Sequence, residues 1–582
     1  MKKYLSLIIV SVVIVTCLSI SCSKSFLDRQ PNGTLDTTVV GNQKGVEALL
    51  IGAYSMMDGY SSGAAFGIGG WESAPDNWVY GSICGGDAHK GSDAADQPSI
   101  IPIEAYSADA TNSFFYQKWR AVYEGVTRTN VVLKVLASAA DVSDADRKRI
   151  TGEARFLRGH YHMEAKKMWN NVPYIDETMT DFQVPNPKTN VPNTTDAWPQ
   201  IEADLQFAYD NLPELQDAVG RANKWNAGAM LGKALMFQQK YAEAKAVLEQ
   251  VYLNGKNPAG VKYGLVTNFA DNFNAATKNN LESVFAVQSS VNDGANASNA
   301  NYGDVLNMPY GGPWDCCGFF QPSQDLVNSY KVDAVLGLPD FDNYNANPVN
   351  NDQGLKSSDP FTPYAGTLDP RLDWTVGRRG IPFLDWGPHP GYDWMRDQGY
   401  SGPYSPIKDV YYKNQKGTLT DGSFWSSTVT AINVNIIRFS DVILWLAECE
   451  VEGGDLNKAR DYVNMVRGRA ANPLGFVKNA NGTPAANYKI GLYIAPWTDQ
   501  ALARKAVHFE RKLEFAMEGH RFFDLVRWGE AEATLNKYLD YEKTLRTYLS
   551  AAHFTGSKNE YYPIPQRQID LSNNILVQNP GY

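Results

Sequence analysis

The chain has 582 residues and a net charge of −10, with 12% aromatic residues that include 32 Tyr and 14 Trp. That length supports a large core or two closely packed lobes. The acidic balance, with no Lys/Arg run, excludes the basic face that a nucleic-acid partner would favour.

Met1-Lys2-Lys3 opens an almost unbroken apolar run from Leu5 to Ile20, and Leu18-Ser19-Ile20-Ser21-Cys22 closes it. Basic start, apolar run and small residues before a cysteine predict a lipoprotein signal over 1–21, with lipidation at Cys22 and a tether through residue 40. The run is short for a bilayer span, which needs ~20 residues. Removing Lys2 and Lys3 takes the net charge from −10 to −12. Cys17 leaves with the signal. Cys84, Cys316, Cys317 and Cys449 then remain. They do not form a disulfide framework but leave room for one pair, and the adjacent Cys316 and Cys317 cannot easily face one zinc together.

Region 41–254 reads as an N-terminal helical-repeat region. Helical spacing covers 43–57. A loop over 59–97, rich in Gly, Asp and Ser, carries Trp71, Trp78 and Tyr80, and long loops of this kind are often functional. Helices are predicted over 114–139 and then from Ser143, which forms a capping box with Asp146, through Trp169. Residues 196–212 form another. Trp225, Gly228, Ala229, Gly232, Ala234 and Leu235 run down the next, facing Tyr241, Ala244 and Leu248. This pairing resembles the tetratricopeptide helix-turn-helix, and a similar unit recurs at 437–469. Trp119, Trp169, Trp198, Trp225, Trp445 and Trp528 sit in helical periodicity and read as packing residues. Region 255–430 is an irregular, aromatic-rich insertion with short strands such as 284–288. Region 431–582 is a C-terminal helical region completing the same domain. The fold expected is mainly α: a tetratricopeptide-like helical-repeat scaffold with a large loop-rich insertion carrying short strands.

The loops hold the chemistry. Trp71, Asn77, Trp78, Tyr80, Asp87 and Lys90 combine rings and polar groups in one loop, and Tyr310, Trp314, Trp386, Trp394 and Tyr404 add rings from the insertion. Rings that stack on apolar C–H faces, with a few fixed polar groups, suit a sugar. Asp87, Asp93 and Asp96 offer oxygens of the kind calcium takes, without the spacing of a helix-loop-helix calcium loop; a solvated acidic loop is the alternative. No cofactor is expected. Glycoside hydrolysis would need two carboxylates about 5–10 Å apart across a cleft. Asp87, Asp93, Asp96, Asp315 and Asp385 show no pairing signal, and there is no His-Glu-x-x-His or phosphate loop. His160 and Glu164, one turn apart, belong to the 143–169 helix. The chain reads as a binding protein and not as an enzyme.

Several motifs in order carry a resemblance. Gly152-Glu153-Ala154-Arg155-Phe156-Leu157-Arg158 runs on to Asn171-Val172-Pro173. Asp369-Pro370-Arg371-Leu372-Asp373 follows, then Ile437-Arg438-Phe439-Ser440-Asp441, then Glu510-Arg511-Lys512-Leu513-Glu514-Phe515 through Glu518-Gly519-His520-Arg521-Phe522-Phe523-Asp524, and the ending Gln578-Asn579-Pro580-Gly581-Tyr582. Together they resemble the SusD/RagB family of outer-membrane nutrient-binding lipoproteins; Gly159-His160 stands where a more apolar or aromatic pair is usual. The resemblance implies a surface-exposed protein, lipid-anchored to a Bacteroidetes-type outer membrane. It would pass oligosaccharide to a SusC-like TonB-dependent transporter, with peptide, glycopeptide or another nutrient as the alternative cargo. In starch-binding relatives a Trp and an Asn of the early loop and aromatics of the insertion line the sugar site; Trp78, Asn77 and Trp314 stand nearest that pattern. The motif residues Arg155, Arg158, Glu518 and Arg521 are expected to be structural and to pair among themselves, because buried charges need partners.

Overall fold

Side-chain caps written into the sequence fix where the long helices begin. The computed structural model describes residues 40–59, 69–179, 191–314, 316–423, 426 and 429–582. The expected signal 1–21, Cys22, the tether to 39, the 60–68 part of the early loop and Asp315 lie outside them. Helix α1 (Gln43–Tyr54) starts behind Asn42, whose side chain accepts from Gly45 N. Asn112 caps α2 (Ser113–Ser138) in the same way. Ser143 accepts from Asp146 N at the start of α3 (Asp144–Trp169). Then come α4 (Trp198–Asn211), α5 (Lys224–Phe237) and α6 (Tyr241–Asn254), packed in sequence order. A reciprocal box between Asn223 and Asn226 opens α5.

Small residues let these helices close up. A Cβ at Gly232 would sit 2.4 Å from Leu248 of α6, and one at Gly125 would sit 2.5 Å from the Tyr161 ring of α3. The second helical unit, α7 (Phe439–Gly453) and α8 (Leu456–Ala470), packs directly against α6. The repeats are thus distant in sequence and adjacent in space. Beyond them lie α9 (Gln500–Glu514), against α7 and α8, and α10 (Arg521–Trp528) and α11 (Ala531–Glu542).

The strands are short and link distant parts of the chain. β1 (Ala88–Gly91) of the early loop and β3 (Phe319–Pro322) of the insertion pair antiparallel, with Ala88 opposite Pro322. β2 (Ser283–Val287) pairs antiparallel with β4 (Val434–Arg438), which leads into α7. One large core runs through the helices and the early loop. A separate small core of Met308, Trp314, Phe383, Ile407, Val410 and Tyr411 lies within the insertion. Cys316 and Cys317 are joined as a disulfide, while Cys84 and Cys449 are buried and free.

Three of the sequence motifs, at 369–373, 437–441 and 510–518, meet in one buried ionic cluster. Arg438 reaches Glu282 at 2.7 Å and both Glu514 and Glu518 at 2.8 Å. Arg371 holds Asp369, Glu510 and Glu514 within 3.0 Å. Arg467 takes Glu510 at 2.9 Å, and Arg469 takes Glu514 at 2.5 Å. Burial alone would raise the Glu514 carboxyl, but Arg469, Arg438 and Arg371 hold it well below the usual carboxylate range. The expected mutual pairing of Arg155, Arg158, Glu518 and Arg521 is corrected here. Arg155 and Arg158 share Asp204, each at 2.7 Å. Glu518 lies in the turn after α9 and pairs with Arg438 and Lys408. Arg521 opens α10, with its charge near Asp87.

Candidate functional site

The early loop folds inward. Its Trp78–Ile83 turn is buried throughout, because it packs on the turn between α9 and α10; a Cβ at Gly81 would lie 1.8 Å from the Gly519 carbonyl oxygen. Trp78 is 0% exposed and stands edge-on to Phe320, with ring centres 5.7 Å apart, and to Phe319 at 6.3 Å. Asn77 is buried in a left-handed conformation and donates to Glu164 Oε2 at 3.2 Å. The Tyr80 hydroxyl donates to the Glu72 carbonyl at 2.7 Å. Asp87 is buried and accepts from Met517 N at 3.1 Å; burial is the main cause that pushes its carboxyl up to about 6. Lys90 Nζ donates to the carbonyls of Asp93 and Asp96 at 2.6 and 2.7 Å. These five residues were expected to face a ligand. The structure places all five in the interior rather than on the surface. Trp71 alone of that set keeps a half-buried ring, 5.6 Å from Tyr302.

The three loop aspartates do not converge as a cation site, since Asp93 and Asp96 turn toward Arg396 while Asp87 faces Met517. Among the described residues, no group of three or more His, Cys, Asp or Glu side chains is placed to hold a metal ion.

The insertion presents its rings differently. Trp314, also 0% exposed, is the hub of the small core. Trp394 lies 4.8 Å from it and Trp386 4.9 Å, and both are partly buried against this core. Tyr404 is buried, its hydroxyl on Gln324. Trp386 Nε1 donates to the Tyr411 carbonyl at 3.0 Å, which fixes that ring's edge. Gly311 and Gly312 both take positive φ, and a Cβ at Gly312 would fall 2.7 Å from Trp394 Nε1. That turn brings Tyr310, 36% exposed, beside Trp394; Tyr310 N donates to the Trp394 carbonyl at 3.0 Å. Tyr392, two residues before Trp394, is 47% exposed.

Arg396 ties this surface to the early loop. Its guanidinium stands 5.4 Å over the Tyr310 ring and binds Asp93 at 2.8 Å and Asp96 at 2.5 Å. The structure therefore assembles Tyr310, Trp386, Trp394, Tyr392, Arg396, Asp93 and Asp96. Tyr392 and Arg396 did not stand out in the sequence, although their place beside Trp394 in Gly391–Arg396 was a usable signal. Ring faces framed by hydrogen-bonding groups give a platform for apolar C–H faces with hydroxyls at the edge.

A family model described as the SusD family matches residues 281–582, more than half of the chain. Another, described as starch-binding associating with outer membrane, matches residues 25–236. A SusD-like protein of Bacteroides ovatus is 25% identical over 87% of this chain and 80% of its own length. SusD-like protein P25 of Formosa agariphila is 23% identical over 90% of both. Among solved structures, a laminarin binding SusD-like protein superposes with a TM-score of 0.62 at 24% identity, covering 93% of this chain and 100% of that one. Surface glycan-binding protein A from Bacteroides thetaiotaomicron, in complex with laminarihexaose, gives 0.63 at 20% identity, covering 92% and 99%. Among the described residues, no helix is long and apolar enough to cross a membrane.

Proposed function

Because the chain belongs to the SusD family, we propose that it is a non-catalytic surface lipoprotein, anchored to the outer membrane through Cys22, that binds oligosaccharide and hands it to a SusC-like TonB-dependent transporter. The observation that carries this reading is the cluster of exposed Tyr310 and Tyr392 with partly buried Trp386 and Trp394 around the buried Trp314 hub. Relatives of the same fold that bind laminarin and laminarihexaose support the ligand class. A binding role also fits the carboxylates at the surface: Asp93 and Asp96 are both engaged by Arg396, which leaves neither placed as a free acid or base.

In this role the protein does no covalent chemistry. It holds its ligand through stacking and edge hydrogen bonds, and a transporter closing over the same ligand would add its own contacts to weak ones made here. The test is calorimetry of the soluble chain, residues 23–582, against plant, microbial and host glycans. One glycan class should bind, and Tyr310→Ala combined with Tyr392→Ala should weaken it by about tenfold or more, the scale of 1.4 kcal/mol. Binding that ignores both substitutions would move the site elsewhere. Failure of every glycan, with peptides binding in its place, would replace the ligand class.

A further inference from the structure

Cys316 and Cys317 are neighbours in sequence and are joined to each other, so their bond closes a ring across a single peptide unit. The two sulfurs differ in access: Cys317 is 4% exposed, while Cys316 is only partly buried. Cys84 and Cys449 offer a contrast, since both are buried and free. Burial pushes the Cys84 thiol up to about 12 and raises the Cys449 thiol as well. A thiol kept protonated and out of solvent is inert.

The joined pair sits where the aromatic surface meets the early loop. The next residue, Gly318, donates its N–H to the Met308 carbonyl at 2.9 Å, which closes the base of the turn that carries Tyr310. A Cβ at Gly318 would stand 3.0 Å from Tyr310 Cβ. The Gly318 carbonyl accepts from Ser92 N at 2.5 Å, and Ser92 Oγ accepts from Arg396 at 2.9 Å. Arg396 in turn lies over the Tyr310 ring. One glycine therefore connects the cysteine ring to Tyr310 on one side and to the Ser92–Arg396 contact on the other.

We propose that Cys316–Cys317 is a thiol–disulfide exchange site for a small free thiol, and that its reduction loosens the turn that holds Tyr310. A small thiolate attacks the accessible Cys316 sulfur and forms a mixed disulfide there, while Cys317 departs as a thiolate. A second small thiolate attacks the first one's sulfur, Cys316 departs, and the two small molecules leave as their own disulfide. The protons that the small thiols gave up end on Cys316 and Cys317, and two electrons have passed to the protein. Once reduced, the two residues no longer share a ring, and Gly318 keeps its place through its hydrogen bonds alone. The effect on ligand affinity rests on the glycan-binding reading above; the exchange chemistry does not.

The soluble chain, purified in air, is labelled with iodoacetamide without denaturant, before and after treatment with 2-mercaptoethanol and desalting, and mapped by mass spectrometry. No cysteine should label before reduction. After it Cys316 should label first and Cys317 more slowly, with Cys84 and Cys449 still unlabelled. Hydrogen exchange should quicken by about tenfold in peptides that carry Tyr310 and Gly318, as for a locally opened segment, and stay unchanged in α2 and α3. Glycan affinity measured by calorimetry should fall severalfold. Cys316→Ser combined with Cys317→Ser should match the reduced chain and ignore 2-mercaptoethanol. Labelling of both residues before reduction would overturn the proposal, and so would exchange around Tyr310, or glycan affinity, that is the same in both states. A chain that shows the labelling and exchange changes yet binds no glycan would leave the exchange site standing and overturn the ligand reading instead.

Discussion

The early loop and the insertion draw on the same residue types and use them in opposite ways. Trp78, Tyr80 and Lys90 of the early loop are buried, Trp78 against Phe319 and Phe320, Tyr80 against Phe115 and Tyr562, and Lys90 against Phe319 and Tyr400. Trp386 and Trp394 of the insertion lie partly buried at the edge of a small core of its own, and Tyr310 beside Trp394 is exposed. The difference lies in what covers each segment. The first is sandwiched between two other parts of the chain, so its rings are spent on packing. The second has support on one side only, and Trp314 absorbs the burial so that its neighbours need not. A ring's type says what it can do; the number of layers around it decides whether it does so for the fold or for a ligand.

The largest effect that would sharpen this contrast is expected at Trp78. Trp78→Ala should cost about 3–5 kcal/mol of folding stability, the range for removing a large buried ring, and should leave the glycan affinity of the folded fraction within about threefold of the parent. Urea denaturation and calorimetry on the same preparation separate the two. Tyr392→Ala should show the reverse pattern: a stability change within about 0.5 kcal/mol, as for an exposed position, and a several-fold loss of affinity. If Trp78→Ala abolished binding while the fold kept its stability, the early loop would be the ligand surface after all.

That reversal also measures how much was legible in advance. The helices were readable because their determinants are local: Ser143 with Asp146, and glycines and alanines spaced down α5. The ionic motifs were visible as motifs, but their meaning was not, since Arg438 meets Glu282 from one direction and Glu514 from another. Ring exposure was least legible. Whether Trp78 faces solvent depends on Phe319, Phe320 and Gly519, which lie far along the chain and reach the early loop through the β1–β3 pairing and the turn after α9. Periodicity carries no information about such contacts, and loops offer no periodicity to begin with.

A smaller effect is expected where the two regions meet. Arg396 binds Asp93 and Asp96 while standing over Tyr310, and its side chain is about a third exposed. Exposed ion pairs contribute roughly 0–1 kcal/mol, so Arg396→Ala should lower stability by no more than that. Its consequence for binding should be larger than for folding, because Tyr310 loses the group that holds its ring. Affinity should fall by about threefold, and raising salt should weaken the parent more than the variant, since screening acts on the pairs that the variant lacks. An identical salt response in the two proteins would show that Arg396 does not position Tyr310.

The smallest effect concerns the seam beneath both regions, where Asp76 of the early loop meets Asp304 and Asp409 of the insertion around a cavity that Lys408 and Glu518 also line. Asp76 and Asp304 both line this cavity, and two buried carboxyls so close favour keeping a proton on one of them. Burial first, then the charges of Asp304 and Asp409, raise the Asp76 carboxyl well above its usual range; burial likewise raises Asp304, against the hydrogen bond from Asn301. Lys408 is committed to Glu518 at 2.6 Å and does not relieve the cluster fully. A carboxyl with a raised folded-state value binds its proton more tightly in the folded than in the unfolded chain. Its contribution to stability is therefore greatest at low pH and declines as pH climbs from the ordinary carboxylate range through the raised value. Asp304→Asn keeps an oxygen for Asn301 Nδ2, now at 2.6 Å from the carboxylate, and supplies a permanent donor to Asp76. The variant should melt about 1–2 °C higher than the parent at pH 8 and no higher at pH 4. An advantage that is the same at both values would mean that packing, and not proton sharing, joins the early loop to the insertion at this seam.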